Sequence, residues 1–301
     1  YIPVPFQWMK RHEALKDARE AWGLSGLMES HHYGWWPSFV SELAKWSYWS
    51  PSPEPENLLE KIAKRDFGEG GSLALAAWKK WSEAITYYLP TEEDQYGPFR
   101  VGPSYPLLFW QEPFIPAINL PAAKHAHFGN RIVLPDYYFH EHVLQSHGAA
   151  RYRAELESLE NFIRVWAQGN EFLRAALAKT PEVKREEAQR MFGLGEFILN
   201  SAKTALNVKK WWQRKRVLET TAASLKASTI LDEMVAIAKR EMENAKATIP
   251  LVEADSRLGW EPSMEYMTDK RRLLWKIEQV RRVIDEEIPK YRGILELTEG
   301  K

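Results

Sequence analysis

Apolar positions in the second half of the chain recur at alternating steps of three and four residues. Leu156, Leu159, Ile163 and Trp166 fall on one stripe, and Met191, Leu194, Ile198 and Ala205 on another. Leu231, Met234, Ile237 and Ala238 mark a third, and Leu273, Ile277, Val280, Ile284 and Ile288 a fourth. Four stripes that cannot each face water alone predict an antiparallel helical bundle from about residue 146 to 301. Its connections fall near Thr180-Pro181, Thr220 and Pro250 to Pro262.

The first half is patterned differently. A short helix is predicted from about His12 to Trp22, with Leu15, Ala18 and Trp22 on one face and Gly23 as its stop. The following run, Ser25-Gly26-Leu27-Met28-Glu29-Ser30, is short, apolar at its centre and bounded by turns, which predicts a buried strand. A loop, 31–38, then leads into a helix from about Phe39 to Trp46. Helix, strand, loop and helix in that order define an α/β unit over 1–50. Residues 51–145 form a second region. Pro51, Pro53 and Pro55 exclude helix interior, helices are predicted from Pro55 to about Asp66 and from Ser72 to Tyr88, and Pro90 to Pro135 reads as an ordered irregular stretch. The expected fold class is therefore mainly α, with a terminal barrel-like α/β unit ahead of the bundle.

Charge narrows the function classes. Forty-one basic and 41 acidic residues cancel, so the broad basic field of a non-specific nucleic-acid binder is missing. No run of about 18 apolar residues and no basic-then-apolar leader occurs, so a soluble chain with neither membrane span nor signal peptide is expected, its compartment left open. The absence of cysteine excludes disulfides, thiolate nucleophiles and Cys-ligated zinc. Fourteen Trp, most of them before residue 111, call for flat apolar faces, either in a core or against the C–H surface of a sugar ring.

The richest candidate chemistry lies where the expected strand meets its loop: Glu29, His31, His32, Tyr33, Trp35 and Trp36. In open α/β sheets and barrels that edge binds ligands. As a sugar subsite, Glu29 would accept hydrogen bonds from hydroxyls and Trp35 or Trp36 would stack on the ring. The structural alternative has both Trp capping the sheet and Glu29 paired with a cation. His125 with His127, and His140-Glu141-His142, lack the spacing of a metalloprotease helix, so no metal site is assigned and no cofactor is implied. No pair of catalytic carboxylates can be nominated, and the catalytic residues stay unknown. The basic run Lys209 to Arg216 reads as a solvated helix face with one buried Trp.

Several stretches carry a family resemblance. They are Gly26-Leu27-Met28-Glu29-Ser30 with Gly34-Trp35-Trp36-Pro37-Ser38, then Ile62 to Gly68, Ala77-Trp78 with Trp81-Ser82-Glu83-Ala84, Gly102-Pro103, and Ala254 to Glu261. Together they resemble the C-terminal portion of barrel glycoside hydrolases of the β-hexosaminidase and α-glucuronidase type. The resemblance implies that Ser25 to Ser30 is the last strand of a (β/α)8 barrel, with Glu29 at its active-site end holding substrate hydroxyls. It also implies that the acid and base come from earlier strands. A barrel takes roughly 200 to 250 residues, and about 24 precede this strand. The expectation is therefore part of a glycoside hydrolase, a fragment or subunit whose carbohydrate partner is bound here while the rest of the barrel belongs to the same gene product or another chain. The alternatives are a non-catalytic carbohydrate-binding module and a structural helical protein; the stripes are also compatible with a homo-oligomer.

Overall fold

A computed structural model describes residues 2–27, 38–88, 102–109, 146–221, 224–258, 260–261 and 266–299. The protein is mainly α-helical. Its helices are α1 (Pro5–Trp22), α2 (Phe39–Ser47), α3 (Pro55–Phe67), α4 (Gly71–Ala84), α5 (Ser146–Ala178), α6 (Glu182–Glu219), α7 (Ser224–Ala254), α8 (Lys270–Arg282) and α9 (Ile288–Glu299). A two-residue antiparallel ladder, Trp260–Glu261 against Tyr266–Met267, lies between α7 and α8. A π-turn over Val283–Glu287 joins α8 to α9.

The chain divides into two compact units. One contains Tyr1–Tyr88 and Asn161–Glu196, and the other Leu89–Glu160 and Phe197–Lys301. The core of the first is aromatic. Trp81, Trp166 and Phe162 form a continuous stack, with ring centroids 5.1 and 5.2 Å apart, and Phe39 lies 4.3 Å from Trp78 at 12°. Each buried indole needs a partner for its N–H. Trp81 donates to Asn170 Oδ1 at 3.0 Å and Trp166 to the Gly195 carbonyl at 2.9 Å. The buried face of α4 runs through Ala74, Ala77, Trp78 and Trp81. Leu75, Trp78, Ile85 and Leu89 are spaced in the sequence for one face; of these only Trp78 is on the buried face, and Leu89 lies outside the described residues.

In the second unit, hydrogen-bonded partners fix the direction of the helices. Asn200 meets Thr248, Thr204 meets Asn244, and Asn207 meets Glu241, so α6 and α7 run antiparallel. Glu253 with Lys270, Glu241 with Lys276, and Asp232 with Arg292 give the same relation for α7 against α8 and α9. The stripe Leu231, Met234, Ile237 and Ala238 is buried throughout. Gly102–Phe109, from the expected irregular region, is irregular and packed against this bundle. The Leu107 backbone donates to and accepts from the side-chain amide of Gln279, and Trp211 Nε1 donates to the Leu108 carbonyl.

Two expectations are corrected. The strand over 25–30 does not form in its described part: Ser25, Gly26 and Leu27 are irregular and exposed. Gly23 closes α1 in the left-handed conformation (φ 67°), and Leu24 and Leu27 beyond it face water, where a buried strand would need paired neighbours. Met28, Glu29 and Ser30 lie outside the described residues, and the barrel-like unit gains no support. The second correction concerns Pro250, which lies inside α7 rather than ending it; the helix continues to Ala254.

Candidate functional site

Glu29, His31, His32, Tyr33, Trp35 and Trp36 lie outside the described residues, as do His125, His127, His140, Glu141 and His142. Among the described residues, no group of three or more His, Asp or Glu side chains could hold a metal ion. The helix that follows the candidate segment lies within the described residues. Ser38 caps α2, its hydroxyl accepting from the Ser41 backbone N–H while the Ser41 hydroxyl accepts from the Ser38 N–H.

Three aromatic side chains stand at the far end of α2 and just beyond it. Trp46 is 37% exposed, Tyr48 54% and Trp49 64%. They differ from the Trp residues of the core, since a ring that fills space is covered and these are not. Trp46 and Trp49 pair at 5.7 Å with their planes tilted by 59°. A polar chain also reaches Trp46. Asp66 accepts two hydrogen bonds from Arg65, at 2.6 and 2.9 Å, and Arg65 donates a fork of 2.7 and 2.9 Å to Glu42. Glu42 in turn accepts a long bond of 3.5 Å from the Trp46 indole N–H, one helical turn on. The Arg65 hydrogen bond is the largest influence on Glu42 and holds its carboxyl below its ordinary pKa, against a smaller opposing effect of burial.

Beside Trp46 is a groove of about 300 Å³ between α1, α2 and the turn into α3. Met9, Leu43 and Leu58 give it apolar surface. His12, Glu13 and Lys16 supply the polar groups of the α1 side. Glu54 also lines it, but its carboxylate is committed to capping α3, accepting from the N–H groups of Glu56 and Asn57 at 3.1 and 2.7 Å.

The other polar concentration is sealed in the second unit. Lys276 and Glu241 are both fully buried and 2.6 Å apart. Glu241 also accepts from Thr204 at 2.6 Å and Asn207 at 2.7 Å, while Lys276 donates to the Pro103 carbonyl at 3.2 Å. A ligand cannot reach this pair, so it serves structure. Its sequence signal is readable in retrospect: Glu241 continues the apolar phase of Met234, Ile237 and Ala238, and Lys276 falls three residues after Leu273 on the buried side of α8. Opposite charges at core positions of two neighbouring helices imply a buried pair.

The basic run Lys209 to Arg216 offers little to an anionic partner. Lys209 pairs with Glu155, Lys210 with Glu160, Arg214 with Glu233 and Arg216 with Glu219. Both Trp211 and Trp212 are buried, where one buried Trp was expected. Among the described residues, no helix is long and apolar enough to cross a membrane. Fold and site together define a mainly helical protein that, among the described residues, carries an exposed, internally braced aromatic cluster. Comparison with protein-family models, curated proteins and solved structures finds no match for the chain.

Proposed function

We propose that the chain is part of a glycoside hydrolase and contributes carbohydrate-binding residues to a sugar cleft, with the catalytic carboxylates supplied from outside it. The motifs spread over Gly26 to Ser38, Ile62 to Gly68, Trp78 to Ala84 and Ala254 to Glu261 support the family. The observation that carries the reading is the solvent-facing Trp46, Tyr48 and Trp49 at the end of and just beyond α2, the helix that directly follows Glu29 to Trp36. Exposed aromatic faces held in fixed orientations suit the C–H surfaces of pyranose rings, and Glu29 with His31, His32 and Tyr33 adds acceptors and donors for their hydroxyls.

The test is calorimetric titration of the chain with xylotriose, cellotriose and chitotriose, repeated on the double variant Trp35→Ala, Trp36→Ala. At least one sugar binds, and the double variant, with an unchanged far-UV circular dichroism spectrum, binds it about tenfold or more weakly, the equivalent of about 1.4 kcal/mol. Binding of none of the sugars, or equal affinity in a folded double variant, overturns the proposal.

A further inference from the structure

We infer that the groove between α1, α2 and the turn into α3 is a separate subsite for a neutral pyranose ring, an inference that rests on the carbohydrate reading but not on residues 29–36. Three features of the groove select this class of ligand. The first is the aromatic wall. The Trp46 indole N–H is engaged by Glu42, which Arg65 and Asp66 brace from α3, and Trp49 packs obliquely against the ring. The polar atom is thus satisfied within the protein while part of the ring remains open beside the groove. An aromatic face already held in place loses little further freedom when a flat partner lands on it.

The second feature is apolar surface from Met9, Leu43 and Leu58, which accommodates the C–H side of a ring rather than its hydroxyls. The third is the charge balance on α1. Glu13 and Lys16 are three residues apart on one helix face, both exposed, and among the described residues neither forms an ion pair. An anionic ligand would gain from Lys16 and lose to Glu13, and a cationic one the reverse; the Glu54 carboxylate, which also lines the groove, is offset by the N-terminus of α3 that it caps. A vicinal diol satisfies both Glu13 and Lys16, because each hydroxyl can donate to the carboxylate and accept from the ammonium. The volume of about 300 Å³ is at the lower end of small-molecule sites, enough for a sugar ring and too little for a folded peptide element.

The experiment uses the whole chain, with the same three neutral trisaccharides and methyl glucuronide as the anionic probe, on the wild type, Trp46→Ala, Glu13→Gln with Lys16→Gln, and Trp35→Ala with Trp36→Ala. Both groove variants change exposed side chains, and circular dichroism checks that each is folded. The expected result is neutral-sugar binding that weakens about tenfold, or about 1.4 kcal/mol, in each groove variant, with methyl glucuronide binding no better than the neutral sugars. Retention of full affinity by both groove variants overturns the subsite; if the Trp35, Trp36 variant alone loses affinity, the proposed function stands without it. Tighter binding of methyl glucuronide overturns the neutral class. Absence of any binding to the wild type overturns the subsite and the proposed function together.

Discussion

Replacing Lys276 with Met tests whether the buried ion pair organises the second unit. The substitution nearly preserves side-chain length and removes the charge, leaving the Glu241 carboxylate fully buried with, among the described residues, Thr204 and Asn207 as its side-chain donors, and the Pro103 carbonyl without its lysine. Breaking a buried pair by removing one partner costs about 3 to 5 kcal/mol. At roughly 2 to 4 °C per kcal/mol for a unit of 150 to 250 residues, Tm should fall by about 6 to 20 °C. Adding Glu241→Gln removes the stranded charge and keeps an acceptor near Thr204 and Asn207, so the double variant should be more stable than Lys276→Met alone. Urea denaturation followed by circular dichroism on the four species of this cycle yields the coupling. A loss below about 1 kcal/mol for Lys276→Met, or single-variant effects that add to within about 0.5 kcal/mol, refutes the reasoning. The pH dependence has a definite sign. Burial, the largest influence, depresses the Lys276 pKa against the opposing pull of Glu241. The unfolded chain then binds more proton between the depressed and the ordinary lysine value, so this group's contribution to stability rises as pH climbs through that window.

Three further substitutions test the first unit. A methyl group on Gly70 would lie 2.3 Å from the Ala176 carbonyl oxygen, backbone that cannot swing aside, so Gly70→Ala should destabilise by about 1 to 3 kcal/mol or more. Gly193, inside α6, has open space where its methyl would go, and Gly193→Ala should stabilise by about 0.5 to 1 kcal/mol; chemical denaturation showing the opposite order would contradict the packing. The Glu42–Arg65 pair is partly exposed, at 31% and 49% of the two side chains, so Arg65→Met should cost no more than about 1 kcal/mol at neutral pH. Because the Glu42 pKa is depressed, that contribution is fully present above the ordinary carboxylate range and disappears as pH falls through the depressed value. A stability difference between wild type and Arg65→Met that does not shrink as pH is lowered below the ordinary carboxylate range would refute the assignment.

The long helices were legible because the 3.6-residue period repeats many times along them. Leu231 to Ala238 and Leu273 to Val280 are buried as their spacing requires. Local punctuation was less dependable. Gly23 ends α1 as expected, whereas Pro250 does not end α7, since the helix around it has 31 residues of its own ladder and packing to hold it. The strand over 25–30 was inferred from six residues, a length at which an apolar centre does not distinguish strand from an exposed connection. Adjacent Trp211 and Trp212 are 100° apart on α6, so a rule of one buried face predicts one of them inside. Trp211 is covered by the Gly102–Phe109 segment, about a hundred residues earlier in the chain, where the Leu108 carbonyl accepts its N–H, and Trp212 is buried in the same apolar cluster.

The same non-locality separates the two uses of tryptophan that composition left merged. Trp81 is core because Asn170, 89 positions away, accepts its N–H and Trp166 stacks on its ring. Trp46 obtains its polar contact from Glu42 on its own helix, which leaves much of its ring uncovered. Burial of an indole is driven by its apolar area and is tolerated where a core residue accepts its N–H, while an indole satisfied a single turn away can stay at the surface without an unpaired donor. The bracing of Glu42 by Arg65 and Asp66 would be superfluous for a ring that only filled space, since packing alone would fix it. It has a use where the ring must keep one orientation in water. That is why the proposed carbohydrate reading rests on the aromatic cluster at the end of α2 rather than on the buried Trp among the described residues.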